Sequence, residues 1–203
     1  MGGLPLGMVI GVTGGYCAGK SVVSAVLRKM GFSEIDVDEV GHAVLREKAA
    51  EVIRAFGEGI RAADGGVDRK KLGAIVYSDR KALSRLERIV HPEMVAKVKA
   101  ALVSARGDAL INAAILHKMG LDSLCDAVFR VTAPVPIRLI RAKRRDGVTL
   151  RHVLARLLSQ RGIRLKSKGS AVDIYTVRNG GSLGSLERSV RSALERTKRG
   201  KAV

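Results

Sequence analysis

Gly14-Gly15-Tyr16-Cys17-Ala18-Gly19-Lys20-Ser21 fits the spacing G-x-x-x-x-G-K-[ST] in full, and its flanks limit what the chain can fold into. The residues before it, Met8 to Thr13, read as a short buried strand. Those after it, from Ser21 to Met30, place Val22, Val23, Ala25, Val26 and Met30 at helical spacing. A strand, a glycine loop and a helix in that order turn backbone N–H groups toward one point, where the positive end of the helix dipole also lies. That point suits a phosphate. The loop from Gly14 to Ser21 would present its backbone N–H groups there, that of Cys17 among them, Lys20 would reach the terminal phosphates, and the Ser21 hydroxyl would ligate Mg²⁺. A glycine-rich turn with a chance lysine needs neither flank. The chain is therefore expected to bind a nucleoside triphosphate.

The rest of the chain repeats the alternation of strand and helix. Phe32 to Asp36 reads as a second strand ending at Asp36-Val37-Asp38, followed by one long helical stretch from about Glu39 to Phe56. Gly57 to Asp68 is loop-like. Helical pattern then runs to about Arg106, with Ser78-Asp79 as an N-cap and His91-Pro92 as an interruption. Strands are expected at Ala109–Ile115, Asp126–Thr132 and Val172–Val177, and helices at Arg138–Arg145, Leu150–Leu165 and Leu183–Arg196. Short apolar strands alternating with helices imply a parallel sheet covered on both faces. The expected fold is thus α/β in three layers with a five-stranded parallel sheet. It forms one domain whose core comprises about 8–57, 107–142 and 170–198. A helical insertion occupies about 58–106, and a basic helical lid about 143–168.

Charge bears on partners. Lys plus Arg number 37 against 19 acidic residues, a net +18, which attracts polyanions such as nucleic acid or small phosphorylated substrates. Aromatic residues make up only 3%, and none interleave with the basic runs as single-strand binders require, which lowers the nucleic-acid reading. No apolar run is long enough to span a membrane, and the N-terminus lacks the basic region of a signal peptide. Two cysteines make no disulfide framework. Cytoplasmic residence is the expectation, and nothing in the sequence specifies an oligomer.

Ligands of an open parallel sheet bind at the carboxyl ends of its strands. Asp36 and Asp38 at the end of the second strand would lie beside the glycine loop if the strand order is that of other phosphate-loop kinases. Phosphoryl transfer needs a positioned acceptor and a carboxylate to take its proton. Asp38 suits that role, with Asp36 supporting it or the metal, or else capping the helix that follows. The run Arg141 to Asp146 would bring cations over the triphosphate as a lid, the alternative being a solvated helical face. His91 either contacts substrate or only marks a helix kink. His42, one turn beyond Asp38, is a surface residue or a substrate contact. Cys125, His117 and His152 have no partner at readable spacing.

Thr13-Gly14-Gly15, Asp36-Val37-Asp38, Val90-His91-Pro92, Arg145-Asp146 and Asn179-Gly180-Gly181 occur in this order. The ordered set resembles the dephospho-CoA kinase family from about Met8 to Arg196. The resemblance implies ATP-dependent phosphorylation of the ribose 3′-hydroxyl of dephospho-CoA, with Mg²⁺. It wraps the ATP phosphates in Cys17, Ala18, Gly19, Lys20, Ser21 and Val22, beside Gly14, and makes Asp38 the base, with Asp36 beside it. It places His91 in the acceptor insertion with Arg69 and Lys71 near its start, Arg141 and Arg145 in the lid, and Asn179 near the adenine of ATP. Two polyphosphate substrates would then account for the charge. The chain departs from the family at Ala113-Ala114-Ile115-Leu116-His117, where Pro-Leu-Leu and a nearby Glu are usual; this removes the basis for an acidic contribution from that strand. Another small-molecule kinase and a basic nucleic-acid-binding NTPase are the competing readings. The His-Pro insertion and the terminal Asn-Gly-Gly speak against the first of these.

Overall fold

β1 (Val9–Gly14) is buried along almost its whole length, so both of its edges and both of its faces must be covered. The computed structural model describes residues 7–146 and 171–201. In it β1 pairs in parallel with β3 (Ala109–Asn112) on one edge and β4 (Ala127–Thr132) on the other. β5 (Asp173–Arg178) lies beyond β4, and β2 (Ser33–Asp36) beyond β3, giving a five-stranded parallel sheet of order β2-β3-β1-β4-β5. One face of β1, through Ile10 and Val12, joins a core with Val23, Val26 and Leu27 of α1 (Lys20–Lys29) and Leu186 and Val190 of α7 (Leu183–Lys201). On the other face a β-carbon at Gly11 would stand 2.6 Å from Leu116 and 3.0 Å from the Cys125 sulfur. Only glycine lets the 3₁₀ turns Leu116–Met119 and Leu121–Leu124 come this close. Phe129, Ile10 and Leu27 are fully enclosed, and burial of each side chain contributes about 1.5–3 kcal/mol.

The chain divides into two compact units, Met1–Ile35 with Leu102–Val203, and Asp36–Ala101. The expected insertion at 58–106 falls largely in the second unit, which starts earlier, at Asp36. That unit holds α2 (Val37–Glu47), α3 (Ala49–Phe56), α4 (Arg69–Ser78) and most of α5 (Arg80–Ser104). Its own core is built from Val44, Val52, Ile53, Ile60, Leu72 and Val76.

Several boundaries differ from the sequence reading. The single helix expected over 39–56 is broken at Lys48, whose backbone (φ −90°, ψ 12°) ends α2 and starts α3. That break lets both Val44 and Val52 face the same small core. His91-Pro92 does not interrupt a helix: α5 runs through Pro92 for 25 residues. Proline removes its own N–H and crowds the carbonyl four residues back, a cost of about 3 kcal/mol that packing of Val90 and Val98 on either side must offset. β3 stops at Asn112 rather than Ile115, because Ile115 (φ −120°, ψ 37°) turns into the 3₁₀ segment. α6 (Val135–Asp146) begins three residues before the expected Arg138. The basic helix expected at 150–165 and the lid beyond residue 146 lie outside the described residues. Among the described residues no helix is long and apolar enough to cross a membrane.

Candidate active site

β1 delivers the chain to the glycine loop, and α1 takes it away. Gly14 ends the strand at a place where a β-carbon would lie 2.5 Å from the Val131 carbonyl oxygen, so the loop starts flush against β4. The Ala18 N–H donates to the Gly15 carbonyl at 3.0 Å and closes the turn. Cys17 (φ +56°) and Gly19 (φ +94°) are both left-handed, and alternation of this kind makes successive N–H groups converge. Glycine takes this conformation at no steric cost, whereas Cys17 is strained by about 1–2 kcal/mol. The result is a cavity of about 400 Å³ lined by Cys17, Gly19, Lys20, Ser21 and Val22, with Arg141 and Arg144 of α6 completing it. Among the described residues three cations and one hydroxyl line this space, and no carboxylate does. Its chemistry is that of a polyanion site.

Behind the cavity the loop is braced from two later parts of the chain. The Asn179 side-chain N–H donates to the Ala18 carbonyl at 3.0 Å, and its oxygen accepts from Arg141 at 3.2 Å. Arg141 also donates to Ala18 O at 3.4 Å, and Arg138 Nε donates to Tyr16 O at 2.8 Å. Burial pulls the Arg138 guanidinium below its ordinary value. Asn179 is only 4% exposed, so the amide expected near an adenine is engaged at both ends within the protein. A β-carbon at Gly19 would stand 2.0 Å from that amide nitrogen. Gly19 is thus needed for its φ and for the brace alike.

In the second unit, the Asp36 side chain accepts from the N–H of Asp38 at 2.9 Å and of Glu39 at 3.4 Å. It is the N-cap of α2. Asp38 is therefore not on the strand but in the first turn of the helix, exposed to solvent. Nor does β2 lie directly beside β1, since β3 stands between them. His42 follows Asp38 by one turn, and its Nε2 accepts a 2.6 Å bond from Arg69, the first residue of α4. His91 sits half-buried in α5, one turn before Met94. Met94 packs so closely on α2 that a β-carbon at Gly41 would meet its methyl at 3.0 Å. Arg145 lies in the last turn of α6.

Thus Cys17, Gly19, Lys20, Ser21, Val22 and Arg141 line the cavity, Gly14, Ala18 and Asn179 lie in the strand end and the brace rather than in its wall, and Asp36, Asp38, Arg69 and His91 belong to the second unit. Sequence reasoning missed Arg138 as a brace, Arg144 as lining and the His42–Arg69 bond. The first two had a readable signal, because Arg138, Arg141 and Arg144 recur every third residue on one helix. The His42–Arg69 bond had none, since it joins residues 27 apart.

A hard cation takes oxygen ligands and keeps several waters, and the Ser21 hydroxyl in the cavity wall fits such a role. The end of β3 adds no carboxylate: Asn112 stands there, and its amide donates to Glu34 at 3.0 Å. Nearby, burial holds the His117 imidazole below its ordinary value, Asp122 opposing, and its Nδ1 has no hydrogen-bond partner among the described residues. Burial, then Asp122 and Asp126, push the Cys125 thiol up to about 12. Both groups are kept neutral.

The chain is similar to known proteins along most of its length. The family described as dephospho-CoA kinase matches residues 8–183 of this chain. A dephospho-CoA kinase from Moorella thermoacetica is 35% identical over 199 residues, covering 94% of this chain and 92% of its own. One from Geobacillus kaustophilus is 37% identical over 160 residues, 75% of this chain and 80% of its own. Among solved structures, the dephospho-CoA kinase from Campylobacter jejuni is 25% identical with a TM-score of 0.57, covering 93% of this chain and 96% of that one.

Proposed function

The chain belongs to the dephospho-CoA kinase family, and from that premise we propose how its residues phosphorylate the ribose 3′-hydroxyl of dephospho-CoA with ATP to give coenzyme A. The observation that carries the reading is the cation-lined cavity over the glycine loop, with no carboxylate among its described lining residues. ATP would seat its β- and γ-phosphates there, on the converging N–H groups from Gly15 to Ser21 and on Lys20. Ser21 would hold a magnesium ion, which when bound neutralises charge on the phosphate oxygens. Arg141, Arg144 and Arg145 would add positive charge against the three oxygens of the transferring phosphoryl group.

Asp38 would take the proton of the 3′-hydroxyl. The freed oxygen would form its bond to the γ-phosphorus as the bond from that phosphorus to the β–γ bridging oxygen breaks, releasing ADP. Being exposed and not itself the cap, Asp38 has a carboxylate available for this, whereas Asp36 uses its own to hold α2 in place. Arg69 and His91 would serve the acceptor. The net charge of +18 suits a protein that handles two polyphosphates, and the cytoplasm, where both occur, is the proposed compartment.

A coupled ADP-release assay tests the reading with dephospho-CoA, adenosine and nucleoside monophosphates offered in turn. Turnover is expected with dephospho-CoA alone. Turnover of a nucleoside without any of dephospho-CoA would overturn it.

A further inference from the structure

Tyr77 of α4 is 89% exposed, in a chain with no tryptophan and only six Tyr and Phe together. An aromatic ring this bare is unusual, because such rings carry more apolar area than most side chains and are ordinarily covered. Its position is specific. Arg69, Gly73 and Tyr77 fall at successive four-residue intervals of α4 and so share one face. The ring leans back along the helix over Gly73, where a β-carbon would stand 3.4 Å from Cε2 and 3.7 Å from Cδ2. Glycine at 73 thus leaves one side of the ring lying flat along the helix, about one turn from Arg69.

Arg69 is prepared in a complementary way. Its guanidinium donates to Nε2 of His42 at 2.6 Å, so that ring nitrogen carries no proton and the bond fixes the arginine without neutralising it. The adjacent carboxylate, Asp68, faces elsewhere. Its Oδ1 caps α4 at Lys70 and Lys71, and its Oδ2 lies 3.9 Å from the Lys71 ammonium. A guanidinium so fixed, with no carboxylate partner among the described residues and one helical turn from Gly73, over which the bare ring leans, matches a nucleotide, whose base and 5′-phosphate are one ribose apart.

We propose that the Arg69–Gly73–Tyr77 face of α4, braced by His42, binds the nucleotide end of the acceptor: Arg69 takes the diphosphate and Tyr77 stacks on the adenine. This rests on the dephospho-CoA kinase reading. Tyr77 and Arg69 touch substrate, and His42 is a positioning residue acting through Arg69. Stacking is assigned to the adenine rather than to the pantetheine arm because a flat π face pairs with a ring and has no comparable purchase on a flexible chain.

Steady-state kinetics with four variants test it. Tyr77→Ala should raise KM for dephospho-CoA about 10-fold, within the range for losing one base–aromatic stack, while KM for ATP and Tm stay at wild-type values. Tyr77→Phe should keep the wild-type KM. His42→Ala should raise the same KM, and His42→Gln, whose amide oxygen can still accept from Arg69, should recover part of it. As a competitor, 4′-phosphopantetheine lacks the adenine, so its inhibition constant should be unmoved by Tyr77→Ala. Without tryptophan, tyrosine emission is directly visible, and dephospho-CoA should quench it less in Tyr77→Phe than in the wild type. An unchanged KM in Tyr77→Ala would overturn the stack, and equal weakening of 4′-phosphopantetheine would overturn its assignment to adenine. Failure of the wild type to use dephospho-CoA would instead overturn the reaction itself.

Discussion

The side-chain amide of Asn179 reaches across 161 residues of sequence to donate to the Ala18 carbonyl at 3.0 Å. Ala18 is 1% exposed, so no solvent replaces that donor if it is removed. Asn179→Ala should cost about 1 kcal/mol, the usual worth of one such bond, because the carbonyl keeps only the longer bond from Arg141 at 3.4 Å. Because the carbonyl belongs to the phosphate loop, nucleotide affinity should fall with Tm. Calorimetric titration with ADP checks this. Unchanged affinity beside a lowered Tm would make Asn179 a purely structural residue.

Asp36 and Asp38 should separate cleanly. Asp36→Ala removes an N-cap and should lower stability by about 1 kcal/mol with a small effect on kcat. Asp38→Asn should leave Tm near wild type and lower kcat by about 10²–10⁴-fold, the usual contribution of a general base. Paired melting curves and single-turnover rates decide it. Near-normal turnover in Asp38→Asn would take the residue out of the base role.

Local patterns in this chain were readable and tertiary consequences were not. The glycine loop and all five strands stand close to where apolar runs and turn residues placed them, because a buried parallel strand and a phosphate loop each impose a short-range signature. The His-Pro pair was misjudged for a physical reason: proline lowers helix stability locally, but α5 is held by contacts from residues far away in the chain. Lys48 shows the converse, a break with no Gly or Pro to announce it. At the candidate site, Lys20 and Ser21 follow from spacing alone. The brace through Arg138, Arg141 and Asn179 arises only when α6 and the end of β5 are folded against the loop, and the His42–Arg69 bond only when α4 packs on α2.

The two cysteines should differ in reactivity. Cys17 lines the cavity, whereas burial and two neighbouring carboxylates hold the Cys125 thiol up to about 12. Thiolate is the reactive form, so iodoacetamide on the folded protein near neutral pH should label Cys17 far faster than Cys125. ATP should protect Cys17. Mass spectrometry of tryptic peptides gives the ratio, and equal labelling would contradict the burial of Cys125.

His117 predicts a sensitivity to acid. Burial sets its folded value below the ordinary 6.5 or so. Above that value the imidazole is neutral in both states and its contribution is whole. As pH falls below it, the unfolded chain binds a proton that the folded one refuses, and stability declines until the folded value is passed. The fall in Tm between about pH 7.5 and about pH 5.5 should therefore be smaller in His117→Phe than in the wild type. Parallel falls would assign the acid sensitivity to other groups.

The cavity wall has a practical consequence. Lys20, Arg141 and Arg144 line it together, with no carboxylate among the described lining residues, so a tetrahedral anion bound there is attracted by all three. Phosphate or sulfate buffer should raise Tm and, by the same occupancy, weaken apparent nucleotide binding, whereas a zwitterionic buffer should do neither. An apparent ATP affinity measured for this protein therefore depends on the anion in the buffer as well as on the loop.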